Sequence, residues 1–418
     1  MKARAVRLHG VCDLRLDEFE LPEIREDEIL AKVVSDSLCM STYKAAKQGG
    51  AHKRVPDDVE QNPAVMGHEF AGEILKVGSK WQGRFAPGQR FAIQPALNYQ
   101  GSMAALGYSY SHIGGDATYV VIPNECMEMN CLLPYSGGGY YEGSLTEAYA
   151  CVCGAFHAMY HVPNRDQYVH EMGIKQGGCL ALLGGTGPMG LAAIDYIIHC
   201  DRRPAKLVVT GNGQARLDRA QQLMTTEEAA ANGVELKYLN INDPGAKEAL
   251  MAFTGNKGYD DVMVFAPVES VVELADAILG TDGCLNFFSG PADAGFAAKL
   301  NFYNVHYAGT HVMGTTGSST ADMEECLAMI ADGKLNPAVL VSHVGGLDAV
   351  VEATMHLPEL PGAKKLIYTH VDMPLTAIAD FPKLAESDPF FAELAKLTAK
   401  SNGLWNREAE EYLLSAKT

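Results

Sequence analysis

Three residues with metal-binding chemistry stand out in the first seventy positions. Cys39 lies in SDSLCMSTYK (35–44), with Ser41, Thr42 and Lys44 close behind it. His68 and Glu69 lie side by side in PAVMGHEFAG, between two glycines. Taken singly, each has an ordinary structural explanation: a lone cysteine is usually a small buried hydrophobe. Together they offer a soft thiolate, an imidazole and a carboxylate. Three protein donors with an open fourth position are what a catalytic Zn²⁺ needs. Glu147, in GSLTEAYACVC, supplies a further carboxylate that could complete the set in place of Glu69.

A second constellation is built from glycine. LLGGTGPMG contains Gly185, Thr186, Gly187, Pro188, Met189 and Gly190 directly after an apolar run and at the head of a helical one. Glycines at this spacing permit a tight turn and a close approach of backbone to a pyrophosphate, which a helix N-terminus attracts. The strand-like KLVVT that follows on schedule strengthens the reading as a dinucleotide site. An NAD site normally has an acid at the end of that second strand, for the adenosine ribose. Here VVTGNGQARLDRA puts Gly211 and Asn212 there, with Arg216 and Arg219 shortly after. Without the carboxylate a 2′-phosphate is not repelled, and the planar fork of Arg216 can pair with it. NADP(H) is therefore expected as the preferred cofactor, with NAD(H) compatible.

These residues need a scaffold. Short β-type runs separated by turns (EILAKVVSD, FAGEILKVG, QRFAIQP, DATYVVIP) fill the first 125 positions and predict an antiparallel or barrel-like region. From about residue 160 strands and helices alternate, which predicts βαβ units and a parallel sheet. The class is α/β, with a catalytic domain at 1–160 completed by 317–418 and a Rossmann dinucleotide domain at 161–316. The last ~45 residues read as helical: Asp388 and Pro389 start a helix, Phe390, Phe391, Leu394 and Leu397 line one face, and Gly403 ends it.

Composition narrows the class. At 418 residues with 47% apolar and 20% charged content, the chain is a folded two-domain protein. Its net charge of −18 argues against a nucleic-acid partner. The longest weakly charged run is broken by glycines and a proline and is too short for a bilayer. The N-terminal stretch carries charges throughout and has no apolar core of a signal peptide. Ten cysteines without regular spacing suggest a reducing compartment. A cytoplasmic location and no membrane partner are expected.

The ordered motifs LCMST (38–42), GHEFAG (67–72), GGDATYVVIP (114–123), TEAYAC (146–151), GGTGPMG (184–190) and GKLNP (333–337) resemble the zinc-dependent medium-chain alcohol/polyol dehydrogenases over residues 1 to 372. DSLCMSTYKAAKQG, KRVPDDVEQNP and the long C-terminal extension look like a sugar-phosphate member. The resemblance implies a GroES-like catalytic domain. It also implies Cys39 and His68 as zinc ligands, Glu69 and Glu147 as alternates for the third protein position, and Ser41 bonded to the substrate oxygen. Lys44 stands where some relatives continue a proton relay to solvent. Thr42 replaces the family's usual Asp beside the metal, and Ala148 a proline that commonly follows the third ligand. Residues 94–125 lack the cysteine lobe of many relatives, so one catalytic zinc and no structural zinc is expected.

The implied activity is hydride transfer between NADP(H) and a ketose phosphate or polyol phosphate, by a homodimer or homotetramer. The alternatives are an NAD-linked secondary-alcohol dehydrogenase acting on an unphosphorylated substrate and a non-catalytic dinucleotide-binding protein. Lys44, Lys47, His52, Lys53 and Arg54 form a basic loop after the metal cysteine in an otherwise acidic chain, suited to a sugar phosphate. Tyr108, Tyr110 and His112 are further pocket candidates.

Overall fold

Strand Ile29–Ser37 organises the catalytic unit, because three strands pair with it antiparallel: Phe70–Val77, Tyr119–Ile122 and Lys364–Tyr368. Its side chains Ile29, Ala31 and Val33 alternate into a core with Phe70, Ile74, Phe91 and Ile93. Burying such residues contributes roughly 1.5–3 kcal/mol each, which fixes the register. The eight-stranded sheet joins distant sequence: Leu366 sits opposite Ser37 and Ile367 opposite Asp36. A smaller sheet, ordered Asp13–Glu20, Lys2–Gly10, Ala64–Val65, completes the GroES-like architecture.

The computed structural model describes residues 1–164 and 167–417. It separates into two units, Met1–Glu147 with Ser319–Thr418, and Ala148–Ser318. The junction between the units falls within the helix Tyr140–Ala158.

The second unit is a six-stranded parallel sheet. Its order is Glu235–Asn240, Lys206–Gly211, Cys179–Leu183, Tyr259–Val264, Leu279–Phe287, His311–Met313. Strand order reverses at Cys179–Leu183, and the glycine loop leaves the carboxyl end of that strand, the switch point where such sheets bind dinucleotides.

At the C-terminus, helices Phe381–Leu384, Pro389–Ala399 and Arg407–Lys417 dock on the catalytic unit around buried Trp405 and Tyr368. Asp388 caps the middle helix by accepting from Phe390 N at 2.9 Å, and Leu394 and Leu397 are buried. That helix stops at Ala399, before Gly403; the residues to Asn406 turn the chain into the last helix. There Glu410, 2% exposed, accepts from Tyr140 N (2.7 Å), Tyr141 N (2.8 Å) and Tyr368 Oη (2.8 Å). Two of the amides left free at the start of helix Tyr140–Ala158 are satisfied in this way. Arg407 binds Glu142 in the first turn of the same helix.

Candidate metal centre

The chain leaves strand Ile29–Ser37 and turns into helix Met40–Gln48 with Cys39 as its N-cap. Thr42 N and Tyr43 N bond the Cys39 carbonyl, so the first helical turn carries Ser41 and Thr42 beside the thiol. His68 and Glu69 enter from the turn before strand Phe70–Val77. Gly67 in that turn has φ +87°, and a Cβ there would meet Asp116 N at 2.5 Å and Asp36 Oδ2 at 2.7 Å. Only glycine fits so close an approach.

Ligating atoms of Cys39, His68 and Glu69 all lie within 4.8 Å of one another. Ser41 Oγ is 3.0 Å from Cys39 Sγ and 3.3 Å from His68 Nε2. Tyr108 Oη also lies 3.3 Å from His68 Nε2, with its ring 4.8 Å from the imidazole. On the other side of that imidazole, Nδ1 lies 3.2 Å from Thr42 Oγ1. A metal-ligating histidine needs such a partner to fix its tautomer. Thr42 is placed to be that partner for His68, with a hydroxyl.

Glu69 is almost wholly buried, and one carboxylate oxygen pairs with the ammonium of Lys364, which is buried as well. Its other oxygen, Oε2, is buried without a hydrogen-bond partner. Burial raises the Glu69 carboxyl, but Lys364 and His68 together hold the group below its ordinary value. Burial lowers Lys364, yet Cys39 and Glu69 hold it above its ordinary range. Burial also raises the Cys39 thiol, against the pull of Lys364. His68 is lowered by burial, against the attraction of Glu147 and Glu69. Thiolate, imidazole and a carboxylate with a free oxygen form a donor set that suits zinc in chemistry and number.

Glu147, on helix Tyr140–Ala158, falls outside this tight trio but within its electrostatic reach. Burial pushes its carboxyl up to about 7, against His68 and with Glu69 and Cys39 adding to the rise. Lys44 lies half-exposed on helix Met40–Gln48. Tyr110 packs on the apolar core and His112 stacks on Phe19 at 6.4 Å, contacts that lie away from the trio.

Three neighbours escaped the sequence reading. Lys364 begins a buried strand in GAKKLIY, and Asp36 and Asp116 are wholly buried. Asp36 Oδ1 accepts from Glu69 N at 3.1 Å and so holds the GHE turn. Burial and the facing Asp116 push the Asp36 carboxyl far above its usual range, and burial raises Asp116 to about 6. The available signal was a charged residue inside an apolar strand, which needs a partner.

In the other unit, Gly187 caps helix Pro188–His199, with Pro188 in its first turn. A Cβ on Gly190 would meet Gly185 backbone at 2.3 Å. One on Gly211 would meet Thr186 Cγ2 at 2.8 Å, so a side chain at the strand end that carries an acid in NAD sites would require Thr186 to shift. Asn212 follows it, exposed, and its carbonyl accepts from Asn242 at 3.1 Å. Met189 is half-buried in the same helix as Gly190. Arg216 is exposed in the first turn of helix Gln214–Leu223; Arg219 is half-buried.

Residues 25–131 match the alcohol dehydrogenase GroES-like domain. The chain is 49% identical over 408 residues to mannitol-1-phosphate 5-dehydrogenase of Aliivibrio fischeri, covering 97% of this chain and 96% of the relative. It is 47% identical over 411 residues to L-sorbose 1-phosphate reductase of Klebsiella pneumoniae, covering 98% and 97%. In fold it is similar to 2R,3R-butanediol dehydrogenase of Bacillus subtilis, with a TM-score of 0.71 at 21% identity over 88% of this chain and 99% of that one. Among the described residues no helix is long and apolar enough to cross a membrane. With full-length relatives that are dehydrogenases and reductases, the protein is an oxidoreductase, and the chain belongs to the zinc-dependent alcohol dehydrogenase family.

Proposed function

We propose that the protein reduces a ketose phosphate with NADPH, or oxidises the corresponding polyol phosphate, with L-sorbose 1-phosphate as its substrate. The observation that carries this reading is the Cys39–His68–Glu69 trio, half-buried at Cys39 and buried at the other two, with the Ser41 hydroxyl in contact with two of its members. Cys39 and His68 hold one zinc per chain, with Glu69 as third protein ligand and Glu147 as its alternate. When bound, zinc would supply Lewis acidity at the substrate carbonyl and the nicotinamide cofactor would supply the hydride chemistry.

The chain's own residues do the rest. Ser41 bonds the substrate oxygen and passes it the proton that reduction requires, with Lys44 continuing the path toward solvent. Thr42 orients His68, and Lys364 keeps Glu69 charged inside the protein. Gly185 to Gly190 receive the cofactor pyrophosphate. The absence of an acid at Gly211 and the exposed guanidinium of Arg216 favour a 2′-phosphate. The relatives named for sugar phosphates support the phosphorylated substrate. A cytoplasmic homo-oligomer without structural zinc completes the proposal.

The test is a side-by-side measurement of kcat/KM on L-sorbose 1-phosphate and free L-sorbose, each with NADPH and NADH. The reading expects the phosphorylated ketose with NADPH to be fastest. A preference for the free sugar, or for NADH, overturns that part of it.

A further inference from the structure

A row of side chains leads outward from the metal trio. Tyr108, 5% exposed, touches His68 and also stacks on His52, with the latter ring centroids 5.8 Å apart and planes 11° from parallel. His52 is in turn crowded by cations: after burial, the causes that lower it are Lys53, Arg54 and Lys44. The loop is held in this place by its backbone. Ser109 Oγ donates to the Arg54 carbonyl at 2.6 Å, and Arg54 N lies 3.3 Å from His52 Nδ1. The Arg54 guanidinium makes one hydrogen bond, to the Met103 carbonyl at 3.1 Å. Among the described residues, no acid pairs with Lys53 or Arg54, in a chain with 51 acidic and 33 basic residues.

Cations left without acids in so acidic a protein face a standing electrostatic opportunity. A phosphate dianion offers three strong acceptor oxygens to an Arg fork, an ammonium and an imidazole that gains its proton as the anion arrives. Lys47 is not part of this group: its ammonium lies 5.9 Å from the ring of Tyr43 on its own helix.

We infer that His52, Lys53 and Arg54 form the subsite for the substrate's phosphate, and that the Tyr108 ring is the spacer between this subsite and the metal trio. The inference rests on the proposed sugar-phosphate activity and deepens it. A substrate whose carbonyl lies at the metal and whose phosphate lies across one aromatic ring must be phosphorylated on a carbon near the reacting one. A 2-ketose 1-phosphate meets that condition.

The test compares the zinc-loaded enzyme with Arg54→Ala, Arg54→Lys and Lys53→Ala. The readout is the preference ratio, kcat/KM for L-sorbose 1-phosphate over kcat/KM for free L-sorbose. The subsite predicts a fall of about tenfold or more in this ratio for Arg54→Ala, as expected for a lost charge-assisted hydrogen bond, and partial recovery in Arg54→Lys. An unchanged ratio overturns the inference, even if both rates drop together. A second arm separates it from the parent reading: inorganic phosphate is titrated into enzyme saturated with NADPH and binding is followed by calorimetry. If wild type reduces neither sugar, the activity assignment fails, and the subsite is judged on this arm alone. Weaker phosphate binding by Arg54→Ala and Lys53→Ala supports it; equal binding overturns it.

Discussion

Thr42 Oγ1 lies 3.2 Å from Nδ1 of His68, so a neutral hydroxyl stands behind the imidazole of the candidate metal centre. It can accept the Nδ1 proton and leave the Nε2 lone pair open to a metal, without adding negative charge. The site already holds Glu69, Glu147, Asp36 and Asp116 in buried positions. A further buried carboxylate would have to be neutralised or paired, and threonine avoids that cost.

Thr42→Val should weaken metal binding by about 10–100-fold, the usual effect of removing such a partner. The fold should change little, because the shape is conserved. Chelator competition measures the affinity, and thermal melting of the metal-free protein reports the fold. Equal affinity in the variant would show that the hydroxyl plays no part in holding the imidazole.

Lys364→Met leaves Glu69 buried with no opposing charge. Breaking a buried pair in this way costs about 3–5 kcal/mol, to be read by denaturant unfolding of the metal-free chain. Glu69→Gln in the same background should recover part of the loss. A single variant as stable as wild type would mean that the pair is not closed in solution.

Glu410 gives a pH-dependent signature. Burial raises its carboxyl from the ordinary 4.5 to about 7, against the hydrogen bonds from Tyr368, Tyr141 and Tyr140. The folded state therefore binds the proton more tightly than the unfolded one between those values. Stability contributed by Glu410 is fully present below about 4.5 and is lost as pH rises toward 7. The stability of wild type relative to Glu410→Gln should fall across this window and level off above it. A difference that rises with pH would contradict the assignment. Glu410→Ala should cost about 1–3 kcal/mol for each donor left buried and unpaired.

Arg216→Ala should reduce the ratio of kcat/KM for NADPH over NADH by about tenfold, the loss of one charge-assisted contact. A ratio that does not move would place the 2′-phosphate elsewhere.

The parts legible in the sequence are those written locally. The glycine loop after an apolar strand, the alternating strands of the first unit and the Asp388 cap each follow from neighbouring residues. Cys39, His68 and Glu69 were legible as a donor set, and the fold brings all three together. What could not be read depends on pairings between distant segments. Lys364 reaches Glu69 because Leu366 pairs with Ser37 across the sheet. Glu410 reaches helix Tyr140–Ala158 only through the packing of the last helix. The role of Thr42 needed the turn that sets His68 beside it.

The central claim is tested most directly by following NADPH oxidation with L-sorbose 1-phosphate before and after complete removal of zinc. Turnover should fall to background on chelation and return with one equivalent of zinc per chain. Turnover that survives removal of the metal would contradict it.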